Sequence, residues 1–165
     1  MIGELSLLKE TLRYDPLTGE LTWLVGGGRR SVGQSAGYKR GDGYIGICVN
    51  RRQTKAHIVA WALTHGAWPT EVIDHKNGDK SDNRLANLRE ATKSQNAMNS
   101  ARHSRNRSGF KGVSPSRNGK RWMGFIRVCG KNHNLGTFDT PEQAHAAYLT
   151  AATANFGEFK HGGDK

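Results

Sequence analysis

Between Val72 and Asn99 the chain reads VIDHKNGDKSDNRLANLREATKSQNAMN and brings Asp74, His75, Asn87 and Asn96 into one short span. Hydrolysis of a phosphodiester needs a hard cation to offset charge on the phosphate and a base that titrates near neutral pH to activate water. Asp74 and Asn96 offer the oxygen ligands, and His75 is the candidate base. Mg²⁺ commonly takes only one or two protein oxygens and completes its shell with water and substrate phosphate, so a ligand set this sparse suits it.

These groups need elements to hold them. Val72 and Ile73 are β-branched, and Asn77-Gly78 is a turn signal, so Asp74 and His75 are expected where a strand gives way to a loop. Thr92 with Gln95 three residues on is a capping-box pattern that starts a helix and sets Asn96 near its first turn. Successive side chains of a strand face opposite ways, so Asp74 and His75 share one site only if the backbone turns there. Upstream, Tyr44–Val49 alternates like a strand, Asn50–Arg52 makes a basic turn, and Thr54–His57 returns as the partner strand. Ile58–His65 has helical character with Val59, Ala60, Trp61 and Leu63 buried, and His65-Gly66 marks its end. Residues 1–24 read as a helix around Leu5, Leu8 and Leu12, turns at Asp15-Pro16 and Thr18-Gly19, and a strand Glu20–Leu24. Gly26–Gly43 carries Arg29, Arg30, Lys39 and Arg40, matches no nucleotide-binding motif, and is read as a flexible DNA-facing loop.

The residues and their order resemble the HNH endonucleases, with their ββα-metal fold, in the form common to phage and intron-encoded homing endonucleases. The resemblance runs from about His57 to Asn99, and the string Tyr14–Trp23 extends it toward the N-terminus, where a small scaffold hairpin with Trp23 in the core is the competing reading. The resemblance implies His75 as general base, Asp74 as metal ligand, and Asn87 of the Asn87-Leu88 pair as the residue that holds the loop and orients the histidine. The last motif position, often histidine, is Asn96 here. Losing that nitrogen ligand points to Mg²⁺, with Mn²⁺ as its substitute, and no zinc is expected. His57 stands where the family has a histidine before its Asp-His. It is read as a core or supporting histidine, with direct phosphate contact as the alternative.

The net charge of +11 and isoelectric point of about 10.1 suggest a polyanion as partner. From Ala91 to Phe138 there is no Asp or Glu, while Lys93, Arg102, Arg105, Arg107, Lys111, Arg117, Lys120, Arg121, Arg127 and Lys131 all fall inside that stretch. Seven of those ten cations lie between positions 102 and 121, interleaved with Ser, Asn and Gly, which favours nucleic-acid contact over a merely solvated face. No apolar run approaches the ~20 residues of a membrane span and no signal peptide is recognisable, so a cytoplasmic protein is expected, in the host cell if phage-encoded. Cys48 and Cys129 are isolated and are expected to be buried free thiols.

Asn99–Arg107 reads as a linker, after which the pattern changes. Gly112–Ser114, Trp122–Val128 and His133–Phe138 are three strand candidates separated by turns at Asn118-Gly119 and Gly130-Lys131. Thr140-Pro141-Glu142-Gln143 opens a helix on which Ala144, Ala147, Tyr148, Ala151 and Asn155 recur, with Gly157 to end it. The string Lys111-Gly-Val-Ser, Trp122, Ile126-Arg127, Leu135-Gly-Thr-Phe138, Thr140, Glu142, Ala144 and Ala147-Tyr148 resembles the Apetala and ethylene-response-factor type DNA-binding domain. That resemblance implies a sheet face entering the major groove, with Arg117, Arg121, Trp122 and Arg127 as contacts, joined by Lys111, Arg105 and Arg107 from the basic stretch. Ser114 and Pro115 stand where plant members often carry Arg, so the target sequence is not implied.

The expected fold is α+β: a ββα-metal nuclease core followed by a small three-stranded antiparallel sheet plus helix. The expected division is 1–56 supporting the nuclease, 57–100 nuclease core, 101–108 linker, 109–157 DNA-binding domain and 158–165 tail. The expected function is site-specific cleavage of double-stranded DNA by a one-metal, histidine-base mechanism, as in a homing endonuclease, acting as a monomer without an obligate protein partner. The alternative is a DNA-binding regulator that keeps the fold without cleaving.

Overall fold

The structure, a computed structural model, describes residues 2–49, 51–100 and 106–159, and the chain forms two compact units, Met1–Lys93 and Ser94–Lys165.

In the first unit helix α1 (Ile2–Thr11) leads into a short hairpin of β1 (Leu12–Tyr14) and β2 (Leu21–Trp23), in which Leu12 faces Trp23 across the ladder. Leu12 is thus the first residue of a strand instead of the last helical leucine. Its alternation with Tyr14 lets it join Leu8, Leu21 and Trp23 in the core. The glycine-rich stretch is not an open loop throughout. Thr22 bridges to Ser35, Ala36 is buried, and β3 (Tyr38–Lys39) forms the edge of a sheet ordered β3-β4-β5 with β4 (Ile45–Val49) and β5 (Arg52–Lys55). Helix α2 (Ala56–His65) follows directly, and His57 lies in its first turn. Gly66 closes α2 in the left-handed region, where a glycine carries no Cβ penalty, with its N–H on Ala62 O. Strands β6 (Val72–His75) and β7 (Leu88–Ala91) form a separate antiparallel pair, with Ile73 and Leu88 packed on Ala60 of α2.

The second unit begins with α3 (Lys93–Met98, from Ser94 on), which carries Asn96. A sheet ordered β10-β9-β8 follows, built from β8 (Val113–Pro115), β9 (Trp122–Val128) and β10 (Lys131–Phe138). The β9–β10 turn places Cys129 and Gly130 both at positive φ, the conformation of a tight two-residue hairpin. Helix α4 (Pro141–Phe156) opens with a complete capping box: Thr140 Oγ1 accepts from Gln143 N–H, and the Gln143 side chain accepts from Thr140 N–H. Its buried stripe is Ala144, Tyr148, Ala152 and Phe156, one residue displaced from the expected Ala147, Ala151 and Asn155 in the later turns. Tyr148 fits against the sheet because Gly112 has no side chain; a Cβ there would run into the tyrosine ring. On β9, Gly124 and Ile126 are buried while Phe125 and Arg127 are exposed.

Both cysteines are free and exposed, contrary to the expectation that they are buried. In β4 it is Ile47 that turns into the core, so its neighbour Cys48 must face outward, and Cys129 sits in a hairpin turn. Among the described residues no helix is long and apolar enough to cross a membrane.

Candidate active site

The site is built on the β6–β7 pair and the loop that joins it. Register places Asp74 opposite Arg89 and His75 opposite Leu88. Strand alternation therefore sends the two neighbours to different partners. Asp74 Oδ2 accepts from Arg89 Nε at 3.0 Å and from Nη2 at 2.8 Å, an ion pair with both side chains buried. His75 turns to Asn83, whose Oδ1 lies 3.1 Å from its Nε2, with both residues 4% exposed. With Nε2–H donated to that amide oxygen, the basic lone pair of the neutral ring is on Nδ1. The chain leaves the strand immediately afterwards, Gly78 N–H donating to His75 O.

The loop is tied at many points. Asn87 Oδ1 accepts from Asn77 N–H at 3.0 Å, and its Nδ2 donates to Asp82 O at 2.8 Å, so one side chain pins both limbs. Asp82 is held by Arg84 and Asn77, and the Arg84 guanidinium pulls its carboxyl down to a pKa of about 2. The N-terminal hairpin braces the same loop from behind. Tyr14 OH donates to Asn83 O at 2.7 Å, and Leu85 N–H donates to Pro16 O at 3.0 Å. Gly19 has φ +78°, and a Cβ there would stand 2.5 Å from Arg84 N and 2.6 Å from Asn83 C.

A second imidazole completes the arrangement. The His57 ring lies edge-on to His75 with centroids 4.7 Å apart, and Tyr44 flanks both, 5.2 Å from His57 and 5.9 Å from His75. Burial, with His75 and Lys55 nearby, takes the His57 pKa down to about 3, so the ring is neutral. Its Nδ1 is buried without a hydrogen-bond partner, which for a neutral ring protonated on Nε2 leaves only a lone pair unmatched. Burial also lowers the pKa of His75, opposed by the Asn83 hydrogen bond and by Asp74, Asp79 and Asp82. A neutral, oriented imidazole is the state in which His75 can take a proton from water.

The family model of the HNH endonucleases matches residues 54–98, a stretch that contains His57, Asp74, His75, Asn83, Asn87 and Asn96. Protein 3.8 of Escherichia phage T7 is 34% identical over 97 residues, which make up 58% of this chain and 80% of the phage protein. The chain belongs to the HNH endonuclease family. It is accordingly a DNA endonuclease, a hydrolase of phosphodiester bonds. A solved structure of the HNH homing endonuclease I-HmuI, described as DNA binding and cleavage by that enzyme, aligns over 81% of this chain and 75% of that one, with TM-score 0.42 and 22% identity.

Within this HNH nuclease the first unit gathers Asp74, His75, Asn87 and His57, whereas Asn96, half-buried on α3, goes with the second unit. Among the described residues no three His, Cys, Asp or Glu side chains cluster as a metal cage. Asp74 is the buried carboxylate of the site and is oriented by Arg89. One fixed carboxylate and hard amide oxygens suit a divalent cation that keeps most of its shell as water and phosphate.

The residue that sequence reasoning missed is Asn83. It sits in an Asp-Asn-Arg run that reads as ordinary loop, and its contact with His75 follows from how the loop folds back. Of the expected DNA contacts, Arg107, Arg117, Arg121 and Arg127 are exposed and Trp122 is half-buried. Arg121 pairs with Asp139 at 3.0 Å, Arg127 Nε donates to Gly130 O, and Lys111 Nζ donates to Met98 O and Ser100 O. Arg105 lies outside the described residues.

Proposed function

We propose that this nuclease cuts double-stranded DNA at specific sites with His75 as general base. The observation that carries the reading is the buried His75–Asn83 pair: an amide oxygen on Nε2 fixes the ring and directs its basic Nδ1 to the reacting water. Asp74 would hold Mg²⁺, or Mn²⁺ in its place. Such an ion supplies positive charge to the phosphate oxygens. Asn87 keeps the loop closed around His75, and His57 backs it as a neutral ring. Cleavage belongs to residues 57–100 supported by 1–56, and DNA binding to a segment at 109–157; of the linker expected at 101–108, residues 101–105 lie outside the described residues. The likeness of that segment to the Apetala and ethylene-response-factor type rests on its three strands, its single long helix and the outward Arg127. In this reading the outer sheet face meets the major groove, with Arg107, Arg117, Arg121 and Trp122 also facing DNA. A homing role, a monomeric state and a cytoplasmic place of action complete the proposal.

The test is nicking of supercoiled plasmid with Mg²⁺ and with EDTA, by wild type and by His75→Ala. Cleavage with Mg²⁺ alone is expected, and the variant should lose about 10²- to 10⁴-fold, the usual cost of a general base. Undiminished nicking by His75→Ala would remove the base assignment.

A further inference from the structure

Beside the two histidines the first unit gathers cations that the hydrolysis itself does not explain. Lys55 Nζ sits 3.5 Å from the centroid of the Tyr44 ring, and Lys80 Nζ sits 4.9 Å from the same centroid. Tyr44 is the ring that also flanks His57 and His75. Three elements converge here: Lys55 ends β5 just before α2, Lys80 comes from the loop after β6, and Tyr44 precedes β4.

Two ammonium groups sharing one aromatic ring repel each other, and Arg40 adds to the repulsion. Burial lowers the pKa of Lys55; Asp42 opposes this, and Arg40 and Lys80 add to it. The nearby carboxylates are already engaged. Asp42 is bound by Arg40 at 3.2 Å, and Asp74 by Arg89 at 2.8 Å. Asp79 accepts from Ser81, and Asp82 from Arg84 and Asn77. Lys80 donates to the Asp42 carbonyl at 3.0 Å, which anchors the loop but supplies no counter-charge. Among the described residues nothing accepts a hydrogen bond from Lys55 Nζ; the tyrosine face is its partner. A half-buried ammonium with three donors and only a π-face to meet them is a site for an anion. The ring that holds these lysines lies 5.2 Å from His57 and 5.9 Å from His75, centroid to centroid, and beside that imidazole the anion in a DNA nuclease is a backbone phosphate.

We infer that Lys55 and Lys80 are substrate-positioning residues that bind the phosphodiester adjoining the one cleaved, with Tyr44 as the platform that sets their ammonium groups beside His75. Held at that phosphate, the strand is fixed on one side of the scissile bond, which sets the attacked phosphorus within reach of the water that His75 activates. This rests on the nuclease reading, and the experiment separates the two. Cut sites are first mapped on plasmid, and a duplex carrying one of them is made with a neutral methylphosphonate at each phosphate flanking the cut in turn. Wild type, Lys55→Met, Lys55→Arg and Lys80→Met are compared by single-turnover rate, salt dependence and thermal melting. At one flanking position the neutral linkage should slow wild type and Lys55→Arg by about tenfold, and it should cost Lys55→Met nothing beyond what that variant has already lost. The salt slope of Lys55→Met should be shallower by about 0.9, the value of one phosphate contact. A purely structural lysine would change the melting temperature and leave both readouts alone. Equal cleavage by Lys55→Met and wild type, or the same methylphosphonate penalty for both at every position, would overturn the assignment. Should Lys55→Met fail to fold, Lys80→Met carries the same comparison, and the same results support or overturn the pair. Failure of wild type to cut the unmodified duplex would instead overturn the nuclease reading on which the pair depends.

Discussion

Replacing Asn83 by alanine deletes the acceptor of a 3.1 Å hydrogen bond and leaves His75 Nε2–H without that partner in a pocket where both residues are 4% exposed. A buried donor stripped of its partner costs about 1 to 3 kcal/mol. At 1.36 kcal/mol per decade of rate, a loss expressed wholly in the transition state slows cleavage by about fivefold to roughly 150-fold. The loop should survive the change, because the Tyr14 hydroxyl bonds the backbone carbonyl of residue 83 and Asn87 pins the loop elsewhere. The assay is single-turnover nicking at saturating enzyme for wild type, Asn83→Ala, His75→Ala and the double variant, with a melting curve for each. A fall in the chemical rate with little change in DNA affinity is expected. In the His75→Ala background the Asn83 substitution should cost nothing more, since its effect passes through the imidazole. Additive losses in the double variant, or an unchanged rate for Asn83→Ala, would refute the idea that this amide orients the base.

Three further outcomes follow from the geometry. Asp74→Ala should unfold or strongly destabilise the first unit, by about 3 to 5 kcal/mol, because Arg89 would be left buried without its carboxylate. Asp74→Asn keeps an oxygen toward Arg89, and should melt closer to wild type while still losing Mg²⁺-dependent cleavage. For His57, the folded pKa of about 3 lies below the ordinary 6.5, so the unfolded chain binds the extra proton first as pH falls. His57 should therefore contribute nothing to the pH dependence of stability above about pH 6.5 and a decline of about 1.4 kcal/mol per pH unit toward pH 3. In urea titrations the stability of His57→Phe should fall less steeply than that of wild type by that amount, the rest of the slope coming from His75 and the paired carboxylates. Arg127→Ala should lower preference for a cognate site by about 1 to 3 kcal/mol if its guanidinium reads a base edge, and binding isotherms on cognate and scrambled duplexes measure it; equal weakening of both would make it a phosphate contact.

Local chemistry was well written in the chain. The capping box at Thr140 and Gln143 and the end of α2 at Gly66 each depend on residues within one turn of each other, and local sequence places them. The β9–β10 turn was legible from Gly130 but falls at Cys129-Gly130, one residue before the expected Gly130-Lys131. The strand entering Asp74 and His75 was legible for the same reason. The partners of those two residues were not. Asp74 meets Arg89 only because the β6–β7 ladder has one particular register, and a connection as long as residues 76–87 leaves register unspecified by turn type. Asn83 and Lys80 come from that connection, and nothing in a run of Asp, Asn, Ser and Lys says which side chain folds back on the histidine and which on Tyr44. The cysteines show the same limit in reverse: residue type suggested burial, and strand alternation and a turn decided otherwise.

Gly19 and Tyr14 sit far upstream of the segment that bears the family pattern, yet they abut the backbone of Asn83 and Arg84. The reactive groups are thus not a self-contained cassette. Residues 54–98 moved into another protein would bring the histidines, the aspartate and the amides, but not the surface against which residue 83 is seated. A chimera would then need to supply its own tyrosine hydroxyl and its own Cβ-free turn at that spot. The portability of the nuclease is limited by the fit of a hairpin that touches none of the chemistry.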